Sequence, residues 1–453
     1  MESNQYSEVD YDRPAKVLNA IQAWNADLSA SDRHEKYCKM ADSSFSFYRG
    51  TDHLFWEDFA GDWRLSRFGS ARTKTWLEAD AHVDNYGAFC NHKGGVIYGL
   101  NDFDESIIAD YQYDVWRLAV SIVLVARLNG DLSHKQQENV VNAFAGSYLD
   151  ALASYRGNKR ADKTFFSQKN TYGQLDDFLK EVRLDDSRKK MLNKWTQQVK
   201  GVRRFDIAGS KGKLDVATDR EKEEILAAMP GYGGTLAGDV RYSEERFKVK
   251  DIVRRVDAGT GSLGTPRYYL LIEGKSTSQN DDRILDVKRQ GKPSPYAYLT
   301  EADRIRYNRT YDNDAQRQAV AYRALAYHPD DYLGWMRLSD GYYSVRERSP
   351  DKEAFPAYKG EVSRKSPYRK FELTTETRFT KLAKQWGQVM ATSHTRADKD
   401  LPYSLPKQLG KLTKGRHKAF KQLVREVAFG YASQVEVDWG YFTKGLAPKD
   451  CSK

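Results

Sequence analysis

The sequence predicts an α+β protein of two lobes, one mostly helical and one β-rich. Three observations carry that expectation. Apolar residues recur at three- and four-residue spacing in the first part of the chain and again near its end. Between those parts the pattern shifts to short apolar runs and alternation around glycine-rich turns. The 453-residue length also exceeds what one simple core encloses, since domains run to ~100–200 residues. The boundaries drawn are a helical half at 1–201, a β-rich region at 202–348 and basic C-terminal helices at 349–453.

Taken in order, residues 14–66 read as helices with a Phe-rich connection, and "GGVIYGLNDFD" (94–104) as short strand material. "YDVWRLAVSIVLVARLNG" follows as an apolar helix that stops at Gly130. Residues 134–200 keep a helical spacing. At "RRFDIAGSKGKLDVAT" the pattern alternates around a Gly-Ser-Lys-Gly turn, which suggests a hairpin. "RFKVKDIVRRVDA", "PRYYLLIEG" and "RILDVK" continue as strands, "DAQRQAVAYRALAY" as a helix, and "YLGWMRL" and "YYSVRER" as strands again. Two helical segments, "TRFTKLAKQWGQVMATSHTRA" and "HKAFKQLVREVAFGYASQVEVDWGYF", close the chain.

Composition narrows the classes. Hydrophobic residues at 40% and charged ones at 30% describe a globular chain and not a disordered one. The longest apolar run, "LAVSIVLVA", falls far short of the ~20 residues a membrane span needs, so no membrane partner is expected. The acidic, polar start lacks the features of a secretory signal. Three widely separated cysteines, Cys38, Cys90 and Cys451, give no zinc spacing and no disulfide framework, which fits a reducing cytoplasm. The net charge of +10 is concentrated in residues 341–453. Acids are interspersed there, so a solvated face is the ordinary reading and a nucleic-acid partner is not favoured.

Two segments carry chemistry. "EADAHVDNYG" (78–87) holds Asp80, His82, Asp84 and Asn85, and "GLNDFDES" holds Asp102 and Asp104 on either side of Phe103. In an extended segment alternate residues share a face, so both carboxylates would point the same way. Two like charges ~7 Å apart at an effective dielectric of ~20 repel by roughly 2–2.5 kcal/mol, which a cation would relieve. Hard oxygen ligands with an Asn amide suit Mg²⁺, completed by waters and substrate phosphates. Asp102, Asp104 and Asn85 are the metal candidates, leaving Asp80 as base or orienting carboxylate. The ordinary alternative is that these acids cap helices or line a turn.

"AGTGSLGTPRYYLLIEG" places Gly259, Gly261 and Gly264 in a G-x-G-x-x-G pattern. A dinucleotide loop needs a helix next, and strand material follows instead. A glycine loop between antiparallel strands matches the flap that covers nucleotide phosphates in kinase-like folds. Lys288 then ends the strand "RILDVK", where a lysine can reach phosphates.

As a set, "KMADSSFSFYRG", "ADAHVDNYG", "LNDFDE", "YDVWRLAVSIVLVAR", the glycine loop, "LDVK" and "LAKQWGQVMATSHTRAD" resemble the bacterial family called domain of unknown function 2252. More broadly the chain is similar to aminoglycoside-phosphotransferase-like enzymes of the protein-kinase-like superfamily. That resemblance implies ATP and Mg²⁺ as cofactors, Asp80 as the catalytic-loop aspartate, Asn85 and Asp102 on the metal, and Asp114 as an acid bracing the catalytic loop. It implies Gly259, Gly261, Ser262 and Gly264 as the phosphate flap and Lys288 as its lysine. His82 and Arg49 lie in family motifs and are catalytic candidates without a derived role.

Two departures stand out. Ala79 replaces a family glycine, a mild change unless that backbone needs positive φ. Arg289 also follows the flap lysine where an acid is usual, so the partner of Lys288 is open, with Glu301 a weak candidate. Because the glycine loop follows the catalytic aspartate, the resemblance implies a circularly permuted kinase-like fold whose closing helices return to the first lobe.

The expected function is ATP- and Mg²⁺-dependent phosphotransfer to an unidentified acceptor, small molecule or protein. Nucleotidyl transfer, a non-catalytic nucleotide- or nucleic-acid-binding module and a metallohydrolase are the alternatives. The last needs a distant histidine, for which only His394 offers itself.

Overall fold

In a computed structural model the protein is described over residues 12–91, 94–185, 187–256, 263–276, 278–360 and 366–451. It is a mixed α+β chain. The apolar segment predicted as a helix forms Gln112–Asn129, buried along almost its whole length, and Gly130 ends it in the left-handed region at φ 74°. A helix apolar all round belongs in the middle of a core. Helices His134–Ser154 and His417–Gly445 pack on it, and Glu376–Arg396 packs on His134–Ser154. Phe420, Leu423, Val424, Val427 and Ala428 recur at three- and four-residue spacing on the last of these and are buried, so segments from both ends of the chain share one core. No helix among the described residues is long and apolar enough to cross a membrane.

The second layer is a six-stranded antiparallel sheet in the order Gly334–Leu338, Gly341–Glu347, Arg283–Arg289, Arg267–Ile272, Val249–Arg255, Leu214–Val216. Its central strands are buried on both faces, which explains why they read as apolar runs. Leu270, Ile272, Leu285 and Val287 face helix Asp219–Gly233 through Ile225, Met229 and Tyr232. Tyr269, Leu271 and Ile284 face Trp195 and Phe205.

A short strand, Glu353–Ala354, leaves the sheet and pairs with Tyr86–Cys90, which in turn pairs with Val96–Leu100. This ladder joins the large sheet to the helical part directly beside the Asp80 segment. Strand Lys74–Leu77, paired with Ile107–Asp110, enters that segment from the other side.

Two expectations are corrected. The Gly-Ser-Lys-Gly turn does not make a hairpin; Leu214–Val216 pairs with Val249–Arg255. The hairpin lies earlier, Thr196–Val199 against Val202–Phe205, and its first strand falls where a helix was expected. Its two turn residues, Lys200 and Gly201, take φ 50° and 78°, the positive angles a two-residue hairpin turn requires.

The cysteines are also not all free thiols. Cys38 and Cys451 form a disulfide with Cα atoms 5.4 Å apart, because the chain end returns to helix Ala30–Ala41. A disulfide departs from the reducing environment read from the cysteine spacing. The bond joins cysteines 413 positions apart, so Cys451→Ser, or reductant, is expected to lower unfolding stability by about 2–4 kcal/mol in denaturant titrations.

Candidate functional site

The Asp80 segment is held mostly by backbone. Asp114, in the first turn of the central helix, accepts from the N–H groups of Glu78 and Ala79, each at 2.9 Å. His394 Nε2 lies 3.1 Å from the same carboxylate and its Nδ1 2.9 Å from the Tyr148 hydroxyl. The residue considered as a distant metal ligand is therefore a buried brace. Trp56 Nε1 donates to the Ala79 carbonyl at 3.1 Å. Ala79 takes φ 69°. The glycine departure is thus not mild: a left-handed non-glycine residue costs roughly 1–2 kcal/mol, which these four hydrogen-bonding partners must hold.

Asp80 points to Arg117, one helical turn after Asp114. Arg117 is fully buried; its Nε donates to Asp80 Oδ1 at 2.8 Å, and Nη2 bonds the same oxygen. Nε also lies 2.9 Å from Asp52 Oδ1, and the guanidinium stacks 4.3 Å from the Tyr48 ring centre. Burial pushes the Asp80 carboxyl up to about 7 while Arg117 pulls the other way. Asp52 is likewise raised, by burial first. Both arginine contacts fall on Oδ1, which leaves Oδ2 able to receive a proton.

His82 and Arg49 serve the same loop. His82 caps the short 3₁₀ turn Val83–Asn85, accepting at Nδ1 from the Asp84 N–H at 3.3 Å, with Nε2 3.7 Å from Asp80 Oδ2. Burial, with Arg49 and Arg117 nearby, drives His82 well below its ordinary range, so the ring is neutral. Arg49 pairs with Asp84 at 2.9 Å. That ion pair folds Asp84 against the loop. Asn85 Nδ2 donates to the Asp80 carbonyl at 2.9 Å, which leaves its amide oxygen for another partner.

The segment through Asp102 and Asp104 is not an extended strand. The segment turns at Asp104, and Asp104 forms an ion pair with Lys288 while accepting from Gln290 Nε2 at 3.0 Å. Burial alone would raise the Asp104 carboxyl; Lys288 and Arg346 hold it well below the carboxylate range. Asp104 is the acid partner of Lys288. Glu301, the weak candidate, is exposed at the start of helix Glu301–Thr310. Asp102 instead lines a cavity of about 440 Å³ with Asp84, Asn85, Arg267, Arg346 and Lys352 among its walls. Among the described residues no three His, Cys, Asp or Glu side chains group as a metal-binding set. Asp102 with Asn85 fits a Mg²⁺ that shares its ligands with substrate phosphates, as this ion ordinarily does.

Gly259, Gly261 and Ser262 lie outside the described residues. Gly264, in the same loop, takes φ 75°, a conformation that suits glycine. Sequence reasoning missed Arg117, Arg267, Asp286, Arg346 and Lys352. Arg117 was within reach, because its i+3 spacing from Asp114 puts both on one helix face. Arg267 bonds Asp286 Oδ1 at 2.6 Å across neighbouring strands, a pairing that depends on register and leaves no local signature.

The family described as "Uncharacterized protein conserved in bacteria (DUF2252)" matches residues 32–445. Neither a curated protein nor a solved structure matches the chain.

Proposed function

We propose that this chain, which belongs to the domain of unknown function 2252 family, is an ATP- and Mg²⁺-dependent phosphotransferase of kinase-like type. One observation carries the reading: Lys288 and Asp104 meet as an ion pair although 184 positions apart, and Asp104 is two residues from Asp102. Lys288 lies on the strand beside Arg267–Ile272, which follows the glycine loop, and Val249–Arg255 precedes that loop. A glycine loop between two adjacent strands and a lysine on the third is the arrangement that cradles phosphates in protein kinases. The order along the chain supports a permuted version of that fold.

The residues divide the work. Lys288 and the loop's backbone amides are suited to hold phosphates, and Asp102 with the Asn85 amide oxygen to hold the metal. Bound there, Mg²⁺ would offset negative charge on the phosphate oxygens. The acceptor hydroxyl attacks the γ-phosphorus, its proton passes to Asp80 Oδ2, and the bond to the ADP oxygen breaks with its electron pair. Arg117, His82 and the Arg49–Asp84 pair position that carboxylate; none of them needs to touch the substrate.

The reading is tested by ATP binding with and without Mg²⁺ on wild type, Asp102→Ala and Lys288→Ala. Asp102→Ala is expected to abolish the Mg²⁺ dependence and Lys288→Ala to weaken binding about tenfold or more. Unchanged binding in both variants would sink it. Nucleotidyl transfer is the second reading, favoured by the basic wall of the cavity, where phosphates could lie away from Lys288. Labelled ATP separates the two, according to whether the γ-phosphate or the α-phosphate reaches the product.

A further inference from the structure

Arg346 and Lys352 stand in the cavity that also holds Asp102 and Asn85. Arg346 donates to the Asn101 carbonyl at 3.3 Å. Neither cation forms an ion pair with a carboxylate within 4 Å among the described residues, in contrast to Arg267, which Asp286 neutralises, and Lys288, which Asp104 neutralises. The backbone at both residues is fixed by strand pairing. Arg346 is held in register opposite Asp286, and Lys352 immediately precedes Glu353, which pairs with Ala88. The charge of Arg346, with burial, pushes the Lys352 ammonium down, while Asp102 and Asp286 pull it the other way. Asp286 and Asp102 offset part of the charge on both cations without closing an ion pair with either, and the remaining repulsion between two adjacent cations is relieved when an anion enters. A guanidinium fork beside an ammonium matches a tetrahedral oxyanion carrying more than one negative charge.

We propose that Arg346 and Lys352 form a phosphate subsite of the cleft, separate from the one at Lys288. The phosphate is either the nucleotide's own terminal group or that of a phosphorylated acceptor. The inference deepens the phosphotransferase reading and rests on it for the neighbouring metal and nucleotide.

The test uses the full chain as wild type, Arg346→Gln, Lys352→Gln and Asp102→Ala, titrated with tripolyphosphate, ATP and AMP in Mg²⁺. Both glutamine variants are expected to weaken tripolyphosphate about tenfold or more. If ATP weakens equally while AMP does not, the phosphate is the nucleotide's; if ATP is unaffected, it belongs to the acceptor. Tripolyphosphate binding within about twofold of wild type in both variants would overturn the subsite. Ligand-free Lys352→Gln is expected to melt at or above wild type, because it loses a like-charged neighbour, and a lower melting temperature would also overturn it. If ATP binding ignores both Mg²⁺ and Asp102 while tripolyphosphate is still lost in the glutamine variants, the phosphotransferase reading fails and the subsite stands.

Discussion

Replacing Asp80 by Asn is expected to slow phosphoryl transfer by about 10²–10⁴-fold, with Mg²⁺-dependent ATP binding nearly unchanged. Asn keeps the shape and can still meet Arg117, but it cannot take the acceptor's proton. The wild-type rate is expected to rise with pH through about 7, where the buried carboxyl titrates, because only the ionised form accepts a proton. That limb should be missing from the residual activity of Asp80→Asn. A rising limb that persists in the variant would assign the titration to another group and remove Asp80 from the role of base.

The second large effect is on stability. Arg117→Met leaves Asp80 and Asp52 around a vacated guanidinium, and breaking a buried pair by deleting one partner costs about 3–5 kcal/mol. Without Arg117 both carboxyls have folded-state pKa values raised above their unfolded ones. Such a group binds more protons when folded, so stability is lost as pH rises above the unfolded carboxylate pKa. Urea titrations should therefore show a larger deficit at pH 7.5 than at pH 4.5. An equal deficit at both would mean that lost packing against Tyr48 and Phe55, and not uncompensated charge, is responsible.

What the sequence revealed follows from the range of the interactions involved. Helix Gln112–Asn129 and its Gly130 stop were legible because periodicity and capping are local. The hairpin at 196–205 was not, because "KWTQQV" carries no alternation strong enough to outweigh the helical residues before it. In the site, Asp80, Asn85 and Asp102 were candidates from local motifs and the family resemblance, and the structure places Asn85 and Asp102 on one cavity. The pairing of Asp104 with Lys288 was not read because an extended segment was assumed where the chain turns. Lys288 has its partner in a different part of the chain, and no local rule selects Asp104 over Glu301. Arg346 and Lys352 become neighbours only once the strand register and the Glu353–Ala354 ladder are known.

The Cys38–Cys451 bond makes most of the chain a covalent ring. A protease that cuts it once between those two residues opens the ring without separating the pieces. Nicked protein would run as one species under non-reducing denaturing electrophoresis and divide into two when a thiol is added, so the position of any accessible cut can be mapped while the molecule stays whole.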